Sequence, residues 1–201
     1  MLIIVATIFF MSSASGQKSF QNQVDIKVPG SGDRDSDTLV QELEPWTDQE
    51  GRSVRRLRLT NTRGLRLTVI SWGAAITGLV LPDGDDIVLG YDTIEEYQGP
   101  DNPYFGATVG RVANRIRGGQ FSLAGVTHNL TVNNGKNTLH GGTRGWDKVN
   151  WKAEIRKSEV VFRCVRWNNG IMLHLFRESN EGEILLKTLN HYIIMRASFL
   201  A

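Results

Sequence analysis

One cysteine among 201 residues, Cys164, excludes an internal disulfide framework. Cys164 sits in the alternating run from Val160 to Val165, which reads as a buried core thiol. A reactive thiol would need an electropositive, partly exposed setting. Four histidines show no metal-ligand spacing, and the glycine-rich loop has no phosphate-binding context. Lys and Arg total 23 against 21 Asp and Glu, interspersed along the chain. The net charge of +2 therefore carries no clustered basic face of the kind a nucleic-acid binder presents. The apolar run Leu2 to Met11 is too short to span a bilayer as a helix. There is no internal repeat, and no segment between Val54 and Val165 keeps a helical period. The chain is long enough to bury one good core.

What is present falls into zones. Leu2 to Met11, followed by Ser12-Ser13-Ala14-Ser15-Gly16, reads as a signal peptide over 1–16 with cleavage after Gly16. That implies secretion, although no Lys or Arg precedes the apolar run. The other reading is an unprocessed apolar N-terminus of a cytoplasmic protein. Asn129-Leu130-Thr131 is a glycosylation sequon that would matter only in a secreted form. Gln17 to Gly51 is polar and turn-rich, with few large apolar residues, so a disordered or loosely docked leader is expected over 17–53.

From Val54 the pattern changes to short alternating runs. Leu57 and Leu59, then Leu65, Leu67 and Val69, flank Asn61-Thr62-Arg63-Gly64 and predict a hairpin. Val80-Leu81 and Ile87-Val88-Leu89 flank a second turn at Pro82-Asp83-Gly84-Asp85. Phe121 and Leu123 lead through Ala124-Gly125 to Val126, Leu130 and Val132, a third hairpin. Trp151, Ala153 and Ile155 alternate ahead of the Val160 to Val165 strand. Many short strands separated by turns predict an all-β antiparallel sandwich or barrel over 54–165.

The chemistry concentrates between Gly110 and Trp151. Gly110-Arg111-Val112-Ala113-Asn114-Arg115-Ile116 is followed by Asn137-Thr138-Leu139-His140-Gly141-Gly142, then by Gly145-Trp146-Asp147-Lys148 and Trp151. Asn114 can donate and accept, Arg115 offers a rigid fork of donors, and His140 can do either or move a proton. That mixture suits a polyhydroxylated ligand. Trp146 and Trp151 read as core or cleft wall, His128 as structural, and Tyr104-Phe105-Gly106 as strand-end packing. Asp147 and Lys148 read as a local pair of small worth if exposed.

These blocks resemble the galactose mutarotase (aldose 1-epimerase) family, whose N-terminal half carries G-R-x-x-N-R-I, L-H-G-G and G-[FW]-D-K-x-x-W in this order. The resemblance implies a large antiparallel β-sandwich and interconversion of the α and β anomers of aldoses such as galactose and glucose. It implies no cofactor and a monosaccharide partner. It assigns His140 as a catalytic histidine and Asn114 and Arg115 as substrate-binding residues. The family's glutamate base and its second histidine, in an N-H-x-Y-F-N-L block, have no matched counterparts here. Asn190-His191-Tyr192 echoes that block only faintly, and no glutamate is nominated.

The resemblance is expected to stop after Val165. It leaves 166–201 as a divergent tail, reading as out-of-register, alternatively spliced or misannotated sequence, and a sandwich incomplete at the C-terminus. The alternatives to an enzyme are a non-catalytic carbohydrate-binding module and a non-functional splice or truncation product.

Overall fold

The computed structural model describes residues 38–110, 112–156 and 159–165, together with the backbone of 181–189 and 192–199. Twelve strands are formed among these residues. Strands β1 (Leu39–Thr47), β2 (Ser53–Thr60), β3 (Arg66–Ile70) and β4 (Ala75–Val80) make one four-stranded antiparallel sheet in sequence order. Strands β9 (Lys152–Arg156), β10 (Glu159–Val165), β11 (Glu181–Leu189) and β12 (Tyr192–Phe199) make a second, also antiparallel and consecutive. Two small ladders lie between them in sequence. One joins β5 (Arg115–Ile116) to β8 (Thr138–Leu139), and the other joins β6 (Gln120–Leu123) to β7 (Val126–Asn129). The architecture is an all-β sandwich, as the alternating runs predict.

The predicted β2–β3 and β6–β7 hairpins are in place, as is the predicted turn between them, from Leu81 to Asp85. Asn61 shapes the first of them, its side-chain oxygen accepting from the N–H groups of Arg63 and Leu65. After the second turn only the isolated bridge Val80↔Asp86 forms, and Ile87 and Leu89 stay exposed. Asp86 there supplies a side-chain acceptor to the Leu79 N–H instead of continuing a strand. Alternation fills the core from both sheets. Leu57, Leu59, Leu67, Val69 and Ile76 from the first sheet meet Ala153, Val160 and Phe162 from the second, with Trp146 and Trp151 between. Fully burying side chains of this size stabilises by about 1.5–3 kcal/mol each.

One expectation needs correction. The stretch 17–53 is not outside the fold throughout, because β1 lies in it and pairs with β2 from Leu39↔Thr60 to Thr47↔Ser53. Its faces are mostly exposed, so the strand is held by the backbone ladder and by cross-strand contacts more than by burial. Glu42 accepts two hydrogen bonds from Arg55, at 2.6 and 2.9 Å, and the Trp46 ring lies 4.4 Å from the Arg56 guanidinium. The register shifts between Leu43 and Trp46, around Pro45, which cannot donate to a ladder. A polar edge strand of this kind has no apolar signature to find. The backbones of β11 and β12, within residues 166–201, extend the second sheet beyond β10.

One short helix, α1 (Ile94–Gln98), carries a capping box from Thr93 to Glu96 and buries Ile94 and Tyr97 in a second, smaller cluster with Val54, Ile70 and Ala75. Five residues are too few to show a period in sequence. Among the described residues no helix is long and apolar enough to cross a membrane. The apolar run at the start, the leader up to residue 37, the side chain of Cys164 and His191 lie outside the described residues.

Candidate functional site

The three sequence blocks converge on one glycine contact. A side chain at Gly110 would put its Cβ 2.1 Å from the Trp146 ring, and one at Gly141 would come 1.9 Å from the Gly110 carbonyl oxygen. The Trp146 N–H donates to that same carbonyl at 3.3 Å. The glycines therefore serve close approach between the three blocks, and Gly141 additionally holds φ +89°. Trp146 is in turn fixed by Trp151, whose indole N–H donates to the Trp146 carbonyl at 3.0 Å with the two rings edge to face. Both tryptophans belong to the core, so neither offers a free face for stacking.

On this base, Asn114 and His140 grip each other. The His140 N–H donates to the Asn114 carbonyl at 3.1 Å, and the Asn114 N–H donates to His140 Nδ1 at 3.0 Å. Both residues hold left-handed backbone, φ +65° at Asn114 and +51° at His140. Outside glycine such a conformation costs about 1–2 kcal/mol, least for asparagine, and persists where surrounding contacts impose it. Because a backbone N–H points at Nδ1, that atom must keep its lone pair, which assigns the neutral imidazole's proton to Nε2. The His140 pKa lies below its ordinary value. Burial is the largest cause, aided by the positive charges of Arg115 and Lys148 and opposed by Asp147. His140 is thus a neutral ring that presents an N–H donor.

Arg115 opens β5, which pairs with β8 just before His140. Its Nε donates to Asn134 Oδ1 at 2.9 Å, while its backbone N–H donates to Asn114 Oδ1 at 2.9 Å. Among the described residues no carboxylate pairs with this guanidinium, which remains charged and exposed beside the imidazole. Asn114, Arg115 and His140 are therefore brought together as the sequence predicts. His128 is elsewhere, on β7, stacked on Phe121 across the hairpin with ring centroids 5.1 Å apart.

Several participants escaped the sequence reading. Asn133 brackets Leu139, accepting from its N–H at 2.7 Å and donating to its carbonyl at 3.0 Å, and so fixes the strand end that carries His140. Tyr104, read as packing, sets its ring edge against the imidazole at 4.8 Å, with φ +67° of its own. Lys148 lies 5.0 Å over the Tyr104 ring and is ion-paired with Asp147. The two ends of that pair differ in setting, Lys148 being partly exposed and Asp147 not. The Asp147 side chain is 8% exposed, and its Oδ1 has no hydrogen-bond partner among the described residues. An unsatisfied buried acceptor costs about 1–3 kcal/mol. Tyr104, Asn134, Asp147 and Lys148 also line a cleft of about 560 Å³ that runs on past Trp72 and Asn102. Asn114, Arg115 and His140 are not part of its wall but flank it.

The family model described as aldose 1-epimerase matches residues 55–173. The chain belongs to the aldose 1-epimerase family. The match runs beyond Val165, where the resemblance was expected to stop. The chain is 49% identical to the galactose mutarotase of Bos taurus over 105 residues, covering 50% of this chain and 30% of that protein. It is 32% identical over 172 residues to a probable aldose 1-epimerase of Arthroderma benhamiae, covering 81% of this chain and 38% of that one. A solved aldose epimerase homologue from C. elegans superposes with a TM-score of 0.55 at 30% identity, over 68% of this chain and 42% of its own. This aldose 1-epimerase family chain thus spans roughly a third of the length of the curated relatives it matches.

Proposed function

We propose that Asn114, Arg115 and His140 form the monosaccharide-binding part of an aldose 1-epimerase site, acting on galactose or glucose. The observation that carries this reading is the reciprocal Asn114–His140 pairing, which fixes the imidazole as an Nε2–H donor within reach of the Arg115 charge. Interconverting anomers requires ring opening. One group takes the proton of the anomeric hydroxyl, another delivers a proton to the ring oxygen, and the open aldehyde turns about C1–C2 before closing. A neutral imidazole donating from Nε2 can hold a sugar oxygen and stabilise charge developing on it. The planar guanidinium can bind two neighbouring oxygens at once.

A second reading built from the same three residues is a non-catalytic carbohydrate-binding module, since all three are groups that bind and orient hydroxyls. Cleavage after Gly16 and secretion belong to the proposal as well. The N-terminal sequence of protein recovered from expressing cells and their medium tests it, with cytoplasmic retention of Met1 as the opposing result.

Polarimetry of freshly dissolved α-D-galactose, with and without the chain, separates the readings when combined with a sugar titration followed by NMR. Perturbation of His140 and Arg115 resonances with no change in mutarotation rate supports a binding half-site. A protein-dependent acceleration shows that this chain supplies its own base. No perturbation at any sugar concentration overturns both readings.

A further inference from the structure

We propose that the Asp147–Lys148 ion pair is a positioning device for His140, the buried carboxylate tethering Lys148 over the Tyr104 ring and the ring, so pinned, fixing the plane of the imidazole. This inference deepens the site reading above and rests on it for its functional meaning, while its geometry is independent of any sugar.

The chain of contacts is continuous. Asp147 lies in a 3-10 turn, Trp146–Lys148, entered from Gly145. A side chain at Gly145 would meet Asp147 Oδ1 at 2.2 Å and the His140 carbonyl at 2.5 Å, so the carboxylate and the backbone of His140 pack against the same α-carbon. On its other flank, a Cβ at Gly73 would lie 2.8 Å from the Asp147 carbonyl oxygen. Gly145 thus packs on the carboxylate and Gly73 on the Asp147 backbone, with one carboxylate oxygen left without a partner among the described residues and the other on the Lys148 ammonium. Lys148 has two attachments, the carboxylate behind it and the Tyr104 π-face before it, and an ammonium over a tyrosine is attracted by the ring quadrupole. Tyr104 meets His140 edge to face at 4.8 Å. The backbone N–H of Asn114 fixes one ring nitrogen, but a single hydrogen bond leaves the ring free to rock about its axis, and Tyr104 removes that freedom.

A buried, half-satisfied carboxylate is an expensive way to hold a surface lysine, and the expense is intelligible if Lys148 has a task. The pair also sets opposing fields on the imidazole. Asp147 favours its protonated form, whereas Lys148 and Arg115 disfavour it. Among the described residues, Arg115, Asp147 and Lys148 are the charged groups facing His140, with the Tyr104 phenol as the neutral titratable neighbour.

The test is NMR of the full 201-residue chain, following the ring protons and titration of His140, with His128 as the internal control. Lys148→Met, a change at a half-exposed side chain, is expected to alter the His140 ring-proton shifts and move its titration midpoint upward while His128 stays put. Asp147→Asn is expected to alter the same ring-proton shifts, because Lys148 is no longer tethered. In a Tyr104→Leu background, Lys148→Met is expected to lose its effect on those shifts. Unchanged His140 shifts and titration in a folded Lys148→Met protein overturn the proposal, even if Asp147→Asn fails to fold. So does equal movement at His128 and His140, which marks a general structural change. No sugar is present in this experiment, so failure of galactose binding leaves its outcome untouched.

Discussion

The Gly141 α-carbon faces the carbonyl oxygen of Gly110 so closely that an added Cβ would sit 1.9 Å from it. That contact joins the block carrying Asn114 and Arg115 to the block carrying His140, and makes the site a property of loop packing more than of either strand. Gly141→Ala must overcome both a φ of +89° and this clash. The expected loss is on the order of 2–4 kcal/mol, adding backbone strain to overpacking. Gly125, at φ +78° with nothing within 4 Å of an added Cβ, isolates the backbone component. Gly125→Ala should cost about 1–2 kcal/mol. Urea denaturation of the two variants checks the difference, and equal losses would remove close approach as the reason for Gly141.

Arg115→Lys should weaken sugar binding while leaving the fold intact. Lysine keeps the charge but loses the planar fork and the lateral Nε–H now donated to Asn134. Loss of one charge-assisted hydrogen bond costs about 1.5–3 kcal/mol, which is roughly one to two decades in Kd. Titration with galactose, with circular dichroism to confirm folding, measures it. Retention of full affinity would place Arg115 outside the sugar contacts.

His140→Asn and His128→Asn should differ in kind. The first removes the ring that accepts from the Asn114 N–H and abolishes the response of the site to galactose. The second removes a ring stacked on Phe121 in a peripheral hairpin and leaves sugar binding near wild type. In a family-length epimerase carrying the same blocks, the same asymmetry should appear in kcat/KM. A severe His128 variant beside a benign His140 variant would move the site elsewhere.

The different settings of His140 and His128 were legible in the sequence, as were the hairpins and the buried residues of β2 and β3, because alternation and turn residues act locally. Asn114, Arg115 and His140 were legible because three blocks occur in one order. Tyr104, Asn133 and Asp147 were not, since their roles depend on loops folding across one another. Nothing in the spacing of Tyr104 from His140 announces a ring contact. Strand β1 was missed for a different reason: Glu42, Pro45 and Trp46 make a strand that is anchored by its ladder, by Arg55 and by Arg56, with no apolar alternation to detect.

Proteolysis should reflect that correction. Backbone paired into a ladder resists local opening, so β1 should be cut more slowly than the sequence before it. The stable fragment is expected to begin near Thr38, where composition changes from the Gly, Ser and Asp-rich leader, and not near Val54. Mass spectrometry of a limited digest reads the boundary directly. Rapid cleavage between Leu43 and Trp46, followed by loss of β1, would show that the register shift there leaves the strand poorly held.

The Asp48 carboxylate joins β1 to β2 and to α1, and its titration should be visible in stability. One oxygen accepts from the N–H groups of Glu50 and Arg52, and the other from Arg52 Nε and the Gln98 amide. Burial, the largest single influence, pushes the pKa up, but the hydrogen bonds and the Arg52 charge overcome it and hold the group at about 2. An aspartate in an unfolded chain titrates near 3.9. The folded state therefore binds this proton less readily than the unfolded state does. Its contribution is fully present above about pH 4 and is lost as pH falls towards 2. The urea midpoint of the wild-type chain should drop across that window. Asp48→Asn should start lower at neutral pH and show a shallower slope between pH 4 and 2, because its amide cannot change charge there. An identical slope in both proteins would assign the acid sensitivity to other carboxylates, such as Glu42 on Arg55, whose pKa is lowered chiefly by the Arg55 hydrogen bond.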